Sequence, residues 1–154
     1  MTTVIEAVPY GDLVRMPVHF DDLDAMGVLH NARYAVLVER AVVLWWAERG
    51  VSFSGGRPTT PDAFSVVREY SITFHRPVRG TGDIGVHFWL ERMGTSSADY
   101  RFRVISADGA TVFAQGRRVN VRLDPATMRP APWTDAGRAL GAALLKASSP
   151  TRRT

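Results

Sequence analysis

Residues 22–50 read DLDAMGVLHNARYAVLVERAVVLWWAERG, an acidic, glycine-containing turn running into a long apolar segment. Tyr34, Leu37, Val38, Ala41, Leu44, Trp45 and Glu48 recur at helical spacing and predict a helix from Asn31 to Arg49. His30 or Asn31 can cap its start, and Gly50 can supply its left-handed stop. Val36, Val42, Val43 and Trp46 spread apolar surface nearly all round this helix, so other elements have to enclose it.

The flanking sequence supplies those elements. On the N-terminal side, Val14, Met16, Val18 and Phe20 alternate with Arg15, Pro17 and His19, the period-two pattern of a half-buried strand, and Pro17 makes it an edge strand. On the other side, residues 51–62 lack periodicity and read as a surface loop, a candidate flap. Three strands then follow: Phe64 to about Phe74, Asp83 to Arg92 and Ala98 to Ala107. Asp108-Gly109 makes the tight turn into a last strand, roughly Thr111 to Leu123. After Asp124-Pro125 the chain is proline-rich, then helical in composition from Thr134 to Lys146, and residues 148–154 are expected to form a disordered basic tail. One strand, one long helix and four more strands define an α+β domain, residues 1–147, whose mostly antiparallel sheet of about five strands curls around the helix, with an added C-terminal helix.

Composition narrows the function. With 154 residues and 45% hydrophobic content the chain is long enough for one core and too short for two. Cysteine is absent, which excludes disulfide scaffolds, zinc ribbons and thiol nucleophiles. His19, His30, His75 and His87 show no metal-ligand spacing, so no metal site is expected. No apolar run is long enough to span a membrane and no secretory signal is visible, so a soluble, cytoplasmic protein is expected. The formal charge of +4 comes mostly from dispersed arginines, which suit an anionic ligand such as a polyphosphate better than a nucleic acid.

The run Asp22-Leu23-Asp24-Ala25-Met26-Gly27-Val28-Leu29-His30-Asn31-Ala32-Arg33-Tyr34, followed by Glu39-Arg40-Ala41, resembles the signature of the 4-hydroxybenzoyl-CoA thioesterase family of hotdog proteins. The resemblance covers roughly residues 12–123. It implies a hotdog fold, hydrolysis of a fatty or aromatic acyl-coenzyme A without a cofactor of the protein's own, and an active site between two subunits of a homodimer or homotetramer. It makes Asp24 the carboxylate that acts as general base or nucleophile, and the backbone N–H near Asn31 the donor to the thioester carbonyl. Many bacterial members carry histidine where this chain has Asn31 and an aromatic residue where it has His30. Asn31 can orient water or bond the carbonyl without shuttling protons, whereas His30 can shuttle them if its ring faces the site.

Tyr34 joins these candidates on the first helical turn, with core packing as its simpler reading. Gly27 and Val28 line the turn. Arg68, on the apparent face of Val66 and Tyr70, and Arg76, at the strand end, are candidate substrate contacts, although Glu39 can neutralise Arg68 without any function. Three competing readings remain: a hydratase, which requires a His–acid pair that the helix lacks; an acyl-thioester-binding module without chemistry, which has no need of Asp24; and a thioesterase acting on an acyl carrier protein. The strand from Phe64 to His75 would leave a long apolar edge open, and the resemblance implies that a second copy pairs with it.

Overall fold

Alternating side chains build the sheet, and its largest fully buried ones, Phe88 and Phe102, face one helix. A computed structural model describes residues 4–146; the tail expected at 148–154 lies outside the described residues. The first strand, β1 (Asp12–Val18), is followed by helix α1 (Arg33–Ala47) and a small hairpin of β2 (Phe53–Ser54) and β3 (Arg57–Pro58). Then come β4 (Ser65–Phe74), β5 (Gly82–Met93), β6 (Ser97–Ser106), β7 (Val112–Arg122) and helix α2 (Asp135–Gly141). Five strands form one antiparallel sheet in the order β1-β5-β6-β7-β4. β1 is an edge, as Pro17 requires, since the ring removes a ladder donor. The turn at Asp108-Gly109 joins β6 to β7: Gly109 has a φ of 74°, and the Ser106 N–H closes the turn on the Thr111 carbonyl at 2.9 Å.

The register stacks Val86 beside Val104, Phe88 beside Phe102 and Leu90 beside Tyr100, all buried on the face toward α1. The helix buries Tyr34, Leu37, Val38, Ala41, Val42 and Trp45 in the same core, a stripe at i, i+3, i+4, i+7, i+8 and i+11. Each such apolar side chain removed from water contributes roughly 1.5–3 kcal/mol. Val43 and Leu44 stay half exposed, so the single chain does not enclose the helix all round. Its start also differs from the expectation. The cap position is Ala32, no side chain caps the helix there, and the fifteen-residue helix is two residues shorter at each end than its spacing suggested. Its stop is as expected: Gly50, at φ 84°, donates to the Ala47 carbonyl while Val51 donates to that of Trp46.

Two further expectations are corrected. Residues 51–62 contain the β2–β3 hairpin rather than an unstructured flap. Buried Asp62 clamps it by accepting from the N–H and hydroxyl of Thr134. At Arg68, β4 carries a bulge: Val67 opposes Asn120 but Glu69 opposes Val119, so one extra residue switches the alternation. Val66 and Tyr70 therefore lie on opposite faces, and Glu39 bonds Arg118 instead of Arg68. The C-terminal helix is shorter than expected, ending at Gly141 and followed by a 3₁₀ turn over Ala142–Leu144.

Candidate active site

The loop between β1 and α1 is fixed largely by its own backbone. A 3₁₀ turn over Phe20–Asp22 places Asp22 inside, where its carboxylate accepts the His19 N–H at 2.8 Å and lies 3.8 Å from Arg33 Nε. The chain then doubles back. Asp24 donates its N–H to Val28 O at 2.8 Å, and Gly27 donates to Asp24 O at 3.0 Å. Gly27 sits at φ 75°, in the left-handed region that favours glycine. Leu29 and Gly80 tie this turn to the stretch before β5, through Val78 O at 2.9 Å and Gly27 O at 3.0 Å.

This folding fixes the Asp24 side chain. Its Oδ1 accepts the Met26 N–H at 2.8 Å and the Val28 N–H at 3.3 Å, an Asx turn closed by a second donor. Its Oδ2 has no hydrogen-bond partner among the described residues and is free to meet water or a ligand. Asp24 lines an open cleft of about 350 Å³ with Met26, Val28, His30, Asn31 and Tyr34. Phe74, His75, Arg76 and Pro77, from the end of β4, form the opposite wall.

The start of α1 faces this cleft. The His30 N–H donates to Asp22 O and the Arg33 N–H to His30 O, each at 2.9 Å, while the Ala32 N–H donates to His30 Nδ1 at 3.0 Å. Among the described residues the Asn31 N–H has no acceptor, which leaves one donor free beside the positive end of the helix dipole. With Nδ1 accepting, the neutral His30 ring carries its proton on Nε2. Tyr34 is buried against Phe74, edge to face at 5.0 Å. Burial raises its hydroxyl above the ordinary tyrosine value, and the Val78 backbone offsets part of that rise.

Six of the eight residues singled out from sequence share this cleft: Asp24, Val28, His30, Asn31, Tyr34 and Arg76. Gly27 shapes the loop without forming the wall, and Arg68 lies outside it, exposed at the bulge. His75 was missed, although its place beside the Arg76-Pro77 strand break was a usable signal. Arg101 and Arg103 project from the other face of the sheet, where Arg101 bonds Asp99 and Arg103 lies over Trp89. Among the described residues, no group of three or more His, Asp or Glu side chains is gathered to hold a metal ion, and no helix is long and apolar enough to cross a membrane.

The sequence profile of the Thioesterase superfamily matches residues 26–113. The chain belongs to this superfamily. It is a thioester hydrolase, and its five-stranded antiparallel sheet with helices is that of hotdog thioesterases. A search of the curated proteins finds no match. Among solved structures, the PA5185 protein of Pseudomonas aeruginosa is 25% identical, with a TM-score of 0.79, over 91% of this chain and 95% of that one. A Thermus thermophilus thioesterase in complex with coenzyme A and zinc is 27% identical, with a TM-score of 0.70, over 86% of this chain and 92% of its own. A Xanthomonas campestris protein proposed to be an acyl-CoA thioesterase is 28% identical, with a TM-score of 0.64, over 74% of the thioesterase described here and 93% of its own chain.

Proposed function

We propose that this thioesterase hydrolyses a fatty or aromatic acyl-coenzyme A at the cleft between the Asp24 loop and the end of β4. One observation carries the reading: a carboxylate held by two backbone N–H groups keeps its second oxygen unbonded in the same cleft as the unbonded Asn31 N–H. The thioester carbonyl oxygen takes the N–H at the start of α1, where a donor and the helix dipole meet the charge that grows on oxygen during attack. Asp24 Oδ2 then takes a proton from water as that water attacks the carbonyl carbon and passes it to the departing thiolate, or attacks the carbon itself to give an acyl anhydride that water hydrolyses; in either case the C–S bond breaks and coenzyme A leaves as its thiol. No cofactor takes part, and coenzyme A enters only with the substrate. The coenzyme A bound to the Thermus thermophilus relative supports this carrier. Arg76, exposed on the opposite wall, is suited to one of its phosphates.

The active unit in this reading is a dimer. β4 is the second edge of the sheet, and Val66, Val67 and Phe74 are 41–48% exposed along it. Such an edge favours antiparallel pairing with a second copy. The test is thiol release from short-chain, long-chain and aromatic acyl-CoAs by wild type and Asp24→Asn, with oligomeric state checked by light scattering. Turnover that depends on Asp24 supports the reading. Turnover of acyl carrier protein thioesters alone would reassign the carrier, and thioester binding without turnover would reject catalysis.

A further inference from the structure

A second and larger cavity, of about 470 Å³, lies along the C-terminal half of α1, away from the Asp24 cleft. Val42, Val43, Trp46, Phe53, Met93 and Trp133 give it an apolar wall. One part of that wall is polar. Arg118, only 6% exposed, donates from Nη2 to Glu39 at 2.8 Å and from Nε to Asn120 Oδ1 at 2.9 Å, and Asn120 donates in turn to Ser65 at 3.2 Å. Arg118 Nη1 has no acceptor among the described residues. Tyr70, opposite Arg118 in the β4–β7 ladder, has a buried hydroxyl without a partner as well. Glu39 is half exposed, so only the arginine side of this pair is buried, and burying a guanidinium costs free energy unless its donors are met. Tying α1 to β7 is therefore a weak reason for placing a guanidinium on the wall of an apolar cavity.

We propose that this cavity receives the far end of the acyl group and that Arg118, with Glu39, selects a chain carrying a terminal hydroxyl. The inference rests on the acyl-CoA reading and on the β4 edge dimer. Ser65 borders the cavity and Phe74 the Asp24 cleft, at opposite ends of β4, about 30 Å apart for a ten-residue strand. Antiparallel pairing about a two-fold axis sets the Ser65 end of one protomer beside the Phe74 end of its partner. The cavity then continues the partner's cleft.

Arg118 and Glu39 together are neutral, and Asp62, which also lines the cavity and accepts from the N–H and hydroxyl of Thr134, adds negative charge, so the polar wall offers a donor and an acceptor and disfavours an anionic chain end. A hydroxyl uses both. A terminal carboxylate would meet Glu39, and an unsubstituted methyl end would leave the Arg118 donor unmet.

The experiment compares kcat/KM for alkanoyl, ω-hydroxyalkanoyl and ω-carboxyalkanoyl coenzyme A from octanoyl to tetradecanoyl, in wild type and in a variant combining Arg118→Met with Glu39→Gln. At one chain length or more, wild type is expected to prefer the ω-hydroxy thioester over both counterparts by at least about tenfold. The double variant is expected to prefer the unsubstituted chain. Val43→Trp, at a half-exposed helix position, fills the cavity without disturbing the ion pair and is expected to abolish turnover of the preferred long chain. This second variant keeps the test decisive if the first misfolds. Hydrolysis without a hydroxyl preference at any length overturns this inference alone, as does a preference unchanged by the variants. A wild type that hydrolyses no thioester overturns the proposed function together with it.

Discussion

Asp24 and Val28 are bonded in both directions: the Asp24 N–H reaches Val28 O at 2.8 Å, and the Val28 N–H reaches Asp24 Oδ1 at 3.3 Å. The reciprocal pair fixes the carboxylate on a surface loop, where a free side chain would sample several rotamers, and leaves Oδ2 without a hydrogen-bond partner among the described residues at the edge of the cleft. Asparagine reproduces the arrangement through its own carbonyl oxygen, so Asp24→Asn is expected to keep the loop and the melting temperature. It removes the negative oxygen that, in the proposed reaction, accepts a proton or attacks carbon. Thiol release should fall about 10²–10⁴-fold, the usual contribution of a positioned acid–base group. A variant within threefold of wild type would remove Asp24 from the chemistry.

Gly116, on β7, pairs with Ile72 of β4 where the two strands and Phe102 pack closely. A Cβ at this position would stand 2.1 Å from the Ser71 carbonyl oxygen and 2.6 Å from Phe102 Cζ. Phe102 is itself stacked on Tyr70, with ring planes 10° apart and centroids at 5.8 Å. Backbone on one side and a stacked ring on the other leave no room to give, so Gly116→Ala is expected to destabilise the fold by about 1–3 kcal/mol, read from urea unfolding. Because β4 ends in the Phe74–Pro77 wall of the cleft, the variant should also raise KM more than it lowers kcat.

Stability should depend on His87 in mildly acidic solution. Burial holds its imidazole below the ordinary histidine value; Arg103 and Lys146 add to the depression, while the Tyr10 carbonyl and Asp12 oppose it. The folded state therefore binds this proton less readily than the unfolded chain. The associated stability is complete above the unfolded value of about 6.5 and is lost as pH falls from there through the folded value. Asp99 does not confuse this window. Burial raises its carboxyl, but hydrogen bonds and charge from Arg117 and Arg101 outweigh it and leave it below the usual carboxylate value, so its own loss comes at lower pH. Urea midpoints at pH 7.5 and about pH 5.5 should differ in wild type and converge in His87→Gln, which keeps a donor for Tyr10 O, the present partner at 2.9 Å. An equal pH response in the two proteins would exclude the histidine as its source.

The α1 stripe and the Asp108-Gly109 hairpin were legible because each depends on local spacing that the finished fold keeps. The Asp24 loop was legible for a different reason: its glycine and paired aspartates form a recognisable signature. Arg118 was not. It lies beside Arg117 in a stretch whose charges read as solvent-facing, yet alternation sends Arg117 to Asp99 and Arg118 inward to Glu39. The partner strand offered no correction, because the extra residue at Arg68 inverts its pattern halfway along and a bulge leaves no periodic trace in a single sequence. The hairpin at Phe53–Pro58 was hidden in the same way. Its anchors are side-chain contacts that periodicity does not reveal, Thr59 Oγ1 bonded to Ser52 and Gly50 within the loop and Asp62 bonded to the distant Thr134.

In the proposed reaction the carbonyl-binding donor at Asn31 is its backbone N–H, and substitution separates that N–H from the side chain. Among the described residues the Asn31 side chain makes no hydrogen bond and caps nothing, while its N–H is the unbonded donor between those of His30 and Ala32. Asn31→Ala keeps the N–H and should retain activity within about tenfold, the loss of at most one modest hydrogen bond. Asn31→Pro deletes the N–H at a position just ahead of the helix, where proline disturbs no intrahelical bond. It should lower kcat by about 10²–10³, equivalent to about 2.7–4 kcal/mol of transition-state stabilisation. Circular dichroism and oligomeric state serve as controls for the loop. A large loss in Asn31→Ala with a similar loss in Asn31→Pro would assign the role to the amide side chain; loss in the proline variant alone assigns it to the backbone, and then any residue with an N–H serves at this position.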